Sequence, residues 1–188
     1  MRNGIWTAVL VAVSISNAIS SSGPSGRAQA QSPAQSAGEM KMEHPTTAAV
    51  PAGPLKITYA GKSAEWTSAS LAALPHTSVT VYNEHAKATQ TYSGVPLTVL
   101  LTQLGVPDKP HGKEFRLYLL AEGADGYGVV YSVGEVTPDV HDGTTLVADT
   151  LDGKSLADNG PFQLVTTGEK RPARWVRNLV SIRVLTAP

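Results

Sequence analysis

The chain must do its chemistry without sulfur nucleophiles, because its 188 residues include no cysteine. Thiolate metal sites and Cys–His catalysis are therefore excluded. No Gly-x-Ser-x-Gly elbow presents a serine, and no glycine-rich loop opens a helix to cradle phosphate. Ser132 and His141 are separated by irregular sequence from which no pairing follows. Met40, Met42 and His44 form a soft-ligand cluster of the type that holds copper in exported proteins, set against plain linker composition around them. Asp139 and Asp142 flank His141 as a carboxylate pair for a hard metal, yet Pro138-Asp139 and Asp142-Gly143 also read as a turn. Arg171, Arg174 and Arg177 read as a solvated face with surface ion pairs, with Arg171 and Arg174 alternatively as ligand contacts. Trp175, next to Val176, reads as core or rim packing or as a stacking plate.

Composition bounds where such groups operate. Arg2 followed by an apolar run from Ile5 to Ile19 has the form of a signal peptide, too short and too serine-rich for a membrane span of about 20 residues. Ala28-Gln29-Ala30 supplies the small-x-small cleavage pattern, so residues 1–30 are expected to be removed and Gln31 to begin a periplasmic or secreted protein with no transmembrane anchor. The mature chain then carries 13 basic and 15 acidic residues, a net charge of −2. With no basic run, no nucleic-acid partner is expected. Residues 31–54, rich in Gln, Ser, Ala, Pro and Thr, read as a disordered linker. Residues 55–188 are then a single domain, large enough for one core.

The elements within that domain follow from periodicity. Leu55 to Tyr59 alternates as a strand, and Thr67 can cap a short helix through Leu71 and Leu74 that ends at Pro75. Ser78–Tyr82 and Thr89–Tyr92 suggest a hairpin with Asn83 to Lys87 near its tip. After Pro96, placed as a first helical residue, Leu97, Leu100, Leu101 and Leu104 fall at helical spacing before Gly105. Phe115–Leu120, Val129–Ser132, Thr145–Leu151, Phe162–Thr166 and Leu179–Leu185 read as strands. Strands with a few short helices and no regular βαβ alternation predict an α+β domain with a mixed sheet.

Four ordered pieces carry a family resemblance. They are Tyr92-Ser93-Gly94-Val95-Pro96-Leu97; Ala124-Asp125-Gly126-Tyr127 with Ser132 and Glu135; Asn159-Gly160-Pro161; and Arg174-Trp175-Val176 leading into Ile182-Arg183-Val184. Together, over about half the chain, they resemble the molybdopterin-binding domain of the sulfite oxidase type. The resemblance implies that fold, and a site built from Tyr127, Ser132, Glu135, Arg171, Arg174 and Trp175. A flat pterin needs a stacking face, an acceptor for its edge donors, and an Arg or backbone N–H for its carbonyl; this set offers them. The family's metal-ligating cysteine would follow the strand matching Val79-Thr80-Val81-Tyr82, where this chain continues Asn83-Glu84-His85. Imidazole does not replace thiolate at such a centre, so molybdenum is not expected.

The expectation is thus an exported protein that binds a pterin or molybdopterin-like small molecule without redox chemistry, with a membrane receptor or sensor as a possible partner. The alternative is a molybdopterin-dependent oxidoreductase served by a separate electron carrier. A third reading is an interaction module whose pocket has collapsed.

Overall fold

The computed structural model describes residues 53–156 and 159–188. The expected signal peptide (1–30), the expected linker (31–54) through residue 52, and the Met40, Met42 and His44 cluster lie outside the described residues. Among the described residues, no helix is long and apolar enough to cross a membrane.

β1 (Leu55–Tyr59) buries Leu55 and Ile57 on one face, as strand periodicity requires. It turns through Ala60 and Gly61, at φ 48° and 79°, into β2 (Lys62–Trp66). Two consecutive positive φ values are the geometry that matches hairpin twist. β2 was not legible in advance, because only Trp66 of its five residues is buried. Thr67 caps α1 (Ser68–Ala72) as expected: Ser70 N–H donates to Thr67 Oγ1 at 3.2 Å and Thr67 N–H to Ser70 Oγ at 2.9 Å.

β3 (Thr77–Asn83) and β4 (Ala88–Pro96) form the expected hairpin. Asn83 Oδ1 organises its tip by accepting from the backbone N–H groups of His85 and Ala86 at 3.0 and 3.3 Å. α2 (Leu97–Gln103) buries Leu97, Leu100 and Leu101, with Pro96 at the cap position, one residue earlier than expected. Leu104 then ends the helix before Gly105 at φ 90°.

A 3-10 turn over Gly112–Arg116 precedes β5 (Leu117–Gly123), so Phe115 lies in that exposed turn and not in the strand predicted for it. β6 (Gly128–Ser132) leads directly into the short α3 (Val133–Val136). β7 (Thr145–Leu151), β8 (Lys154–Ser155), β9 (Gln163–Thr166), a 3-10 turn over Pro172–Arg174 and β10 (Leu179–Thr186) follow among the described residues.

The α+β class holds, but among the described residues the strands build two sheets where one was expected. The first has the order β2-β1-β10-β5-β6 and is mixed, with β1 parallel to β10 and the other pairs antiparallel. The second is antiparallel: β3, β4 and β7 in order, with β8 and β9 both pairing with β7. The main core joins α2 to the inward faces of β1, β5, β6 and β10, including Leu100, Leu119, Tyr131 and Ile182. A smaller cluster gathers Tyr92, Leu146, Ala148, Leu156, Val165 and Trp175. Sequence periodicity reports which face of a strand is apolar but not which of two cores receives it.

β4 and β7 approach so closely at Gly94 that a Cβ there would lie 2.1 Å from the Val147 carbonyl oxygen and 2.5 Å from Ala148 Cα. Beside this contact the register shifts between Ser93 and Gly94, which pair with Thr150 and Ala148. Asp149 is left as the extra residue of a β-bulge, a device that re-aims a side chain. Its Oδ2 lies 3.0 Å from His76 Nε2, while His76 Nδ1 lies 2.7 Å from the Leu74 carbonyl oxygen. Both ring nitrogens face acceptors, an arrangement that the doubly protonated imidazolium satisfies. The hydrogen bond with Asp149 accordingly raises the His76 pKa above its ordinary 6.5.

Two outcomes follow from this corner. Gly94→Ala must push backbone against backbone and should cost about 3 kcal/mol or more, read as a lowered urea midpoint with unchanged slope. A folded-state pKa above the unfolded value means that His76 contributes its full stabilisation below about pH 6.5 and loses it as pH rises through the raised value. The difference in urea midpoint between wild type and His76→Ala should therefore be larger at about pH 6 than at about pH 8.5; a constant difference would show that protonation plays no part.

Candidate functional site

A cavity of about 530 Å³ opens where the β3–β4 hairpin tip, the β5–β6 turn, β9 and the Pro172–Arg174 turn meet. The hairpin contributes Asn83, His85, Ala86, Gln90 and Tyr92, and the β5–β6 turn contributes Asp125 and Tyr127. Asn159, Gln163, Pro172, Ala173, Trp175 and Arg177 complete the wall. Each of the four ordered sequence pieces therefore places at least one residue on it: Tyr92, then Asp125 and Tyr127, then Asn159, then Trp175.

The wall is graded from a buried polar interior to an exposed aromatic and cationic surface. Gln163 is 2% exposed and its Oε1 has no hydrogen-bond partner. An orphaned buried acceptor costs about 1–3 kcal/mol, and this oxygen is itself closed off from the cavity. Gln90 is saturated at its oxygen, which accepts from Asn83 Nδ2 at 2.7 Å and from the Tyr92 hydroxyl at 3.0 Å. Burial raises the Tyr92 pKa, keeping that phenol a donor. Tyr127 is 46% exposed, with its N–H donating to Asp125 Oδ1 at 2.9 Å and its hydroxyl donating to the Ala173 carbonyl. Arg177 is exposed and makes no ion pair among the described residues. Such a wall can stack a flat ring, hydrogen-bond its edge and hold an anionic group.

The residues expected to line the site divide into two groups. Tyr127 and Trp175 do line it. Trp175, however, is mostly buried, donates from Nε1 to the Thr166 carbonyl at 2.8 Å, and meets Tyr92 edge-on with ring centroids 5.3 Å apart. It is a packing residue of the wall. Arg171 is exposed and lies outside the wall.

Ser132, Glu135 and Arg174 form a brace behind the wall. Ser132 caps α3 reciprocally with Glu135, whose Oε2 accepts from Ser132 N–H at 2.7 Å. Glu135 Oε1 accepts from Arg174 at 2.7 Å, and Arg174 also donates to Glu169 Oε1, from Nε at 2.9 Å. Burial alone would raise the Glu135 pKa, but hydrogen bonds from Ser132 and Arg174 outweigh it and hold the carboxyl below its ordinary value. The Arg174 guanidinium lies 4.6 Å from the Tyr131 ring centroid. The Tyr131 hydroxyl donates to the Arg174 carbonyl at 2.5 Å and accepts from Thr166 Oγ1 at 3.2 Å. Burial pushes the Tyr131 pKa up to about 12, so it remains a neutral donor at ordinary pH. The result is a rigid Pro172–Arg174 turn presenting Pro172 and Ala173 to the cavity.

Asn83, Gln90 and Gln163 were not legible as site residues. The available signal was Gln163, the single polar residue in the run Phe162-Gln163-Leu164-Val165.

No family model matches the chain. It is similar to the DNA primase small subunit PriS of Thermoplasma volcanium, 32% identical over 82 residues, which is 44% of this chain. The chain spans 23% of that relative's length. This similarity corrects two expectations, that the protein binds a pterin or is a molybdopterin-dependent oxidoreductase, and that nucleic acid is excluded as a partner. Net charge near zero weighs against a broad electrostatic interface, but it does not exclude a local site that takes a nucleotide unit.

Glu135 and Arg174 are each more than a third exposed, so solvent limits the strength of the brace. A double-mutant cycle with Glu135→Ala and Arg174→Ala should give a coupling of about 0.5–1 kcal/mol in urea unfolding, reduced by added salt. Additive effects would show the two residues to be energetically independent.

Proposed function

We propose that this protein is a binding module whose cavity takes a nucleotide unit, the base against Tyr127 and the phosphate at Arg177. The observation that carries the reading is the convergence, on one cavity, of an exposed aromatic face and a cation without an ion pair among the described residues. The local similarity to a primase subunit supports the same ligand class. The wall groups hydrogen-bond and stack, so the proposed activity is recognition, with no chemical step assigned.

The finer fold assignment belongs to the same proposal. We take the two-sheet α+β domain to have a sulfite oxidase-type arrangement. The grouping of Tyr92, Tyr127, Asn159 and Trp175, one from each family-like piece, around the cavity supports this reading. On this view the fold persists while His85, on the cavity wall, stands in the segment where the family's sulfur ligand would occur.

Isothermal titration of the protein with adenosine, guanosine, cytidine and uridine monophosphates tests the ligand class. Saturable binding that weakens with salt is expected, because a phosphate–Arg177 contact is screened by added ions. Tyr127→Ala should remove about 1–3 kcal/mol of it, the usual value of base stacking on an aromatic ring. No heat with any nucleotide, or tighter binding of a free pterin than of all four, would overturn the reading.

A further inference from the structure

We infer that the Asp125 carboxylate receives the two adjacent N–H donors on the pairing edge of guanine, so that the cavity prefers guanine nucleotides to the other three. The inference rests on the nucleotide reading above and deepens it. Asp125 is the single carboxylate on the cavity wall, and it is exposed. It stands two residues before Tyr127 in the β5–β6 turn, where its Oδ1 accepts the Tyr127 N–H at 2.9 Å. That bond ties the carboxylate to the residue whose ring receives the base. A carboxylate has about four acceptor sites and donates nothing. One of those sites is engaged among the described residues, and Asp125 makes no ion pair there, with Arg177 or with any other cation.

The other polar side chains of the wall are committed or can act either way. Asn83 donates to Gln90 and accepts from His85 and Ala86, and the Gln90 oxygen also takes the Tyr92 hydroxyl. The Trp175 indole and the Tyr127 hydroxyl donate to backbone carbonyls, and Gln163 Oε1 is closed off. An imidazole such as His85 and an amide such as Asn159 offer a donor as well as an acceptor, so neither separates one base from another by sign.

A group that only accepts does separate them. Guanine sets its N1–H beside its 2-amino group, two donors in a row. In adenine and cytosine the amino group stands beside a ring nitrogen that accepts, and in uracil the single N–H lies between two carbonyl oxygens. Each of those three edges turns a lone pair toward the carboxylate, which repels it. Asp125 and Arg177, on one wall and not paired with each other, thus match the donor edge and the anionic end of one guanine nucleotide.

The test is isothermal titration of the full chain with guanosine, inosine, adenosine, cytidine and uridine monophosphates. The guanosine nucleotide should bind at least about tenfold more tightly than the adenosine, cytidine or uridine nucleotide, and more tightly than the inosine nucleotide, which keeps N1–H but lacks the 2-amino group. In Asp125→Asn the amide oxygen can still accept the Tyr127 N–H, while an NH2 replaces the second oxygen. Guanosine monophosphate should then bind roughly 5- to 100-fold more weakly, the range of one two-point base contact. Adenosine monophosphate serves as the control: its affinity should not fall, whereas a displaced Tyr127 would weaken both nucleotides alike. Should Asp125→Asn fail to fold, the comparison of guanosine with inosine and adenosine nucleotides on the wild type still decides. Equal affinity for the guanosine and adenosine nucleotides, equal loss of both in the variant, or a folded variant that binds guanosine monophosphate like wild type overturns the role of Asp125 and leaves nucleotide binding in place. Failure of all five nucleotides to bind overturns the nucleotide reading itself.

Discussion

Burial of Trp175 is the constraint on which the site depends. Its indole N–H is committed to the Thr166 carbonyl, its ring to a T-shaped contact with Tyr92, and its backbone N–H to the Pro172 carbonyl. The next residue, Val176, bridges to Leu164. One side chain therefore fixes the return of the chain after β9, closes the smaller core and forms part of the cavity wall. Other groups near the cavity take up positions that Trp175 leaves to them: Tyr127 holds the Ala173 carbonyl, Tyr131 holds the Arg174 carbonyl, and Arg174 is gripped by two carboxylates.

This arrangement separates recognition from support. Surface ion pairs contribute little to stability, yet they can fix a turn of three residues at small cost when an aromatic ring and a backbone acceptor already define the geometry. Glu135 and Arg174 act in this way. The amides and Tyr127 face the cavity, with Asn83 serving both the hairpin tip and the oxygen of Gln90. Changes to the brace should move the wall as a unit, whereas a change to the exposed Arg177 alters only what the cavity contacts.

Much of the fold was legible because it is local. Thr67 and Ser70 form their cap within one turn, Leu97 to Leu104 advertise a helix, and the β3–β4 hairpin is contiguous in sequence. What was not legible is long-range or polar. The second sheet depends on β4 pairing with β7 as well as with β3, and β7 lies some fifty residues further along the chain. β2 hides because an edge strand with four polar or small residues has no apolar alternation, and α3 because four residues carry no period. At the site, Arg174 has the chemistry of a ligand contact, but its three-dimensional neighbours are Glu135, Glu169 and Tyr131. Gln163 escaped notice because one polar residue in an apolar strand looks like a surface position until its burial is known.

The parallel pairing of β1 with β10 sets Lys56 against Ser181 and Tyr59 against Val184. In a parallel pair, the segment before Leu55 and the segment after Thr186 leave from opposite ends. A pulling force applied through those two segments would run along both strands and load their shared hydrogen bonds together. The domain should resist such tension as a shear joint, and a tether on either side would transmit load without peeling the sheet open.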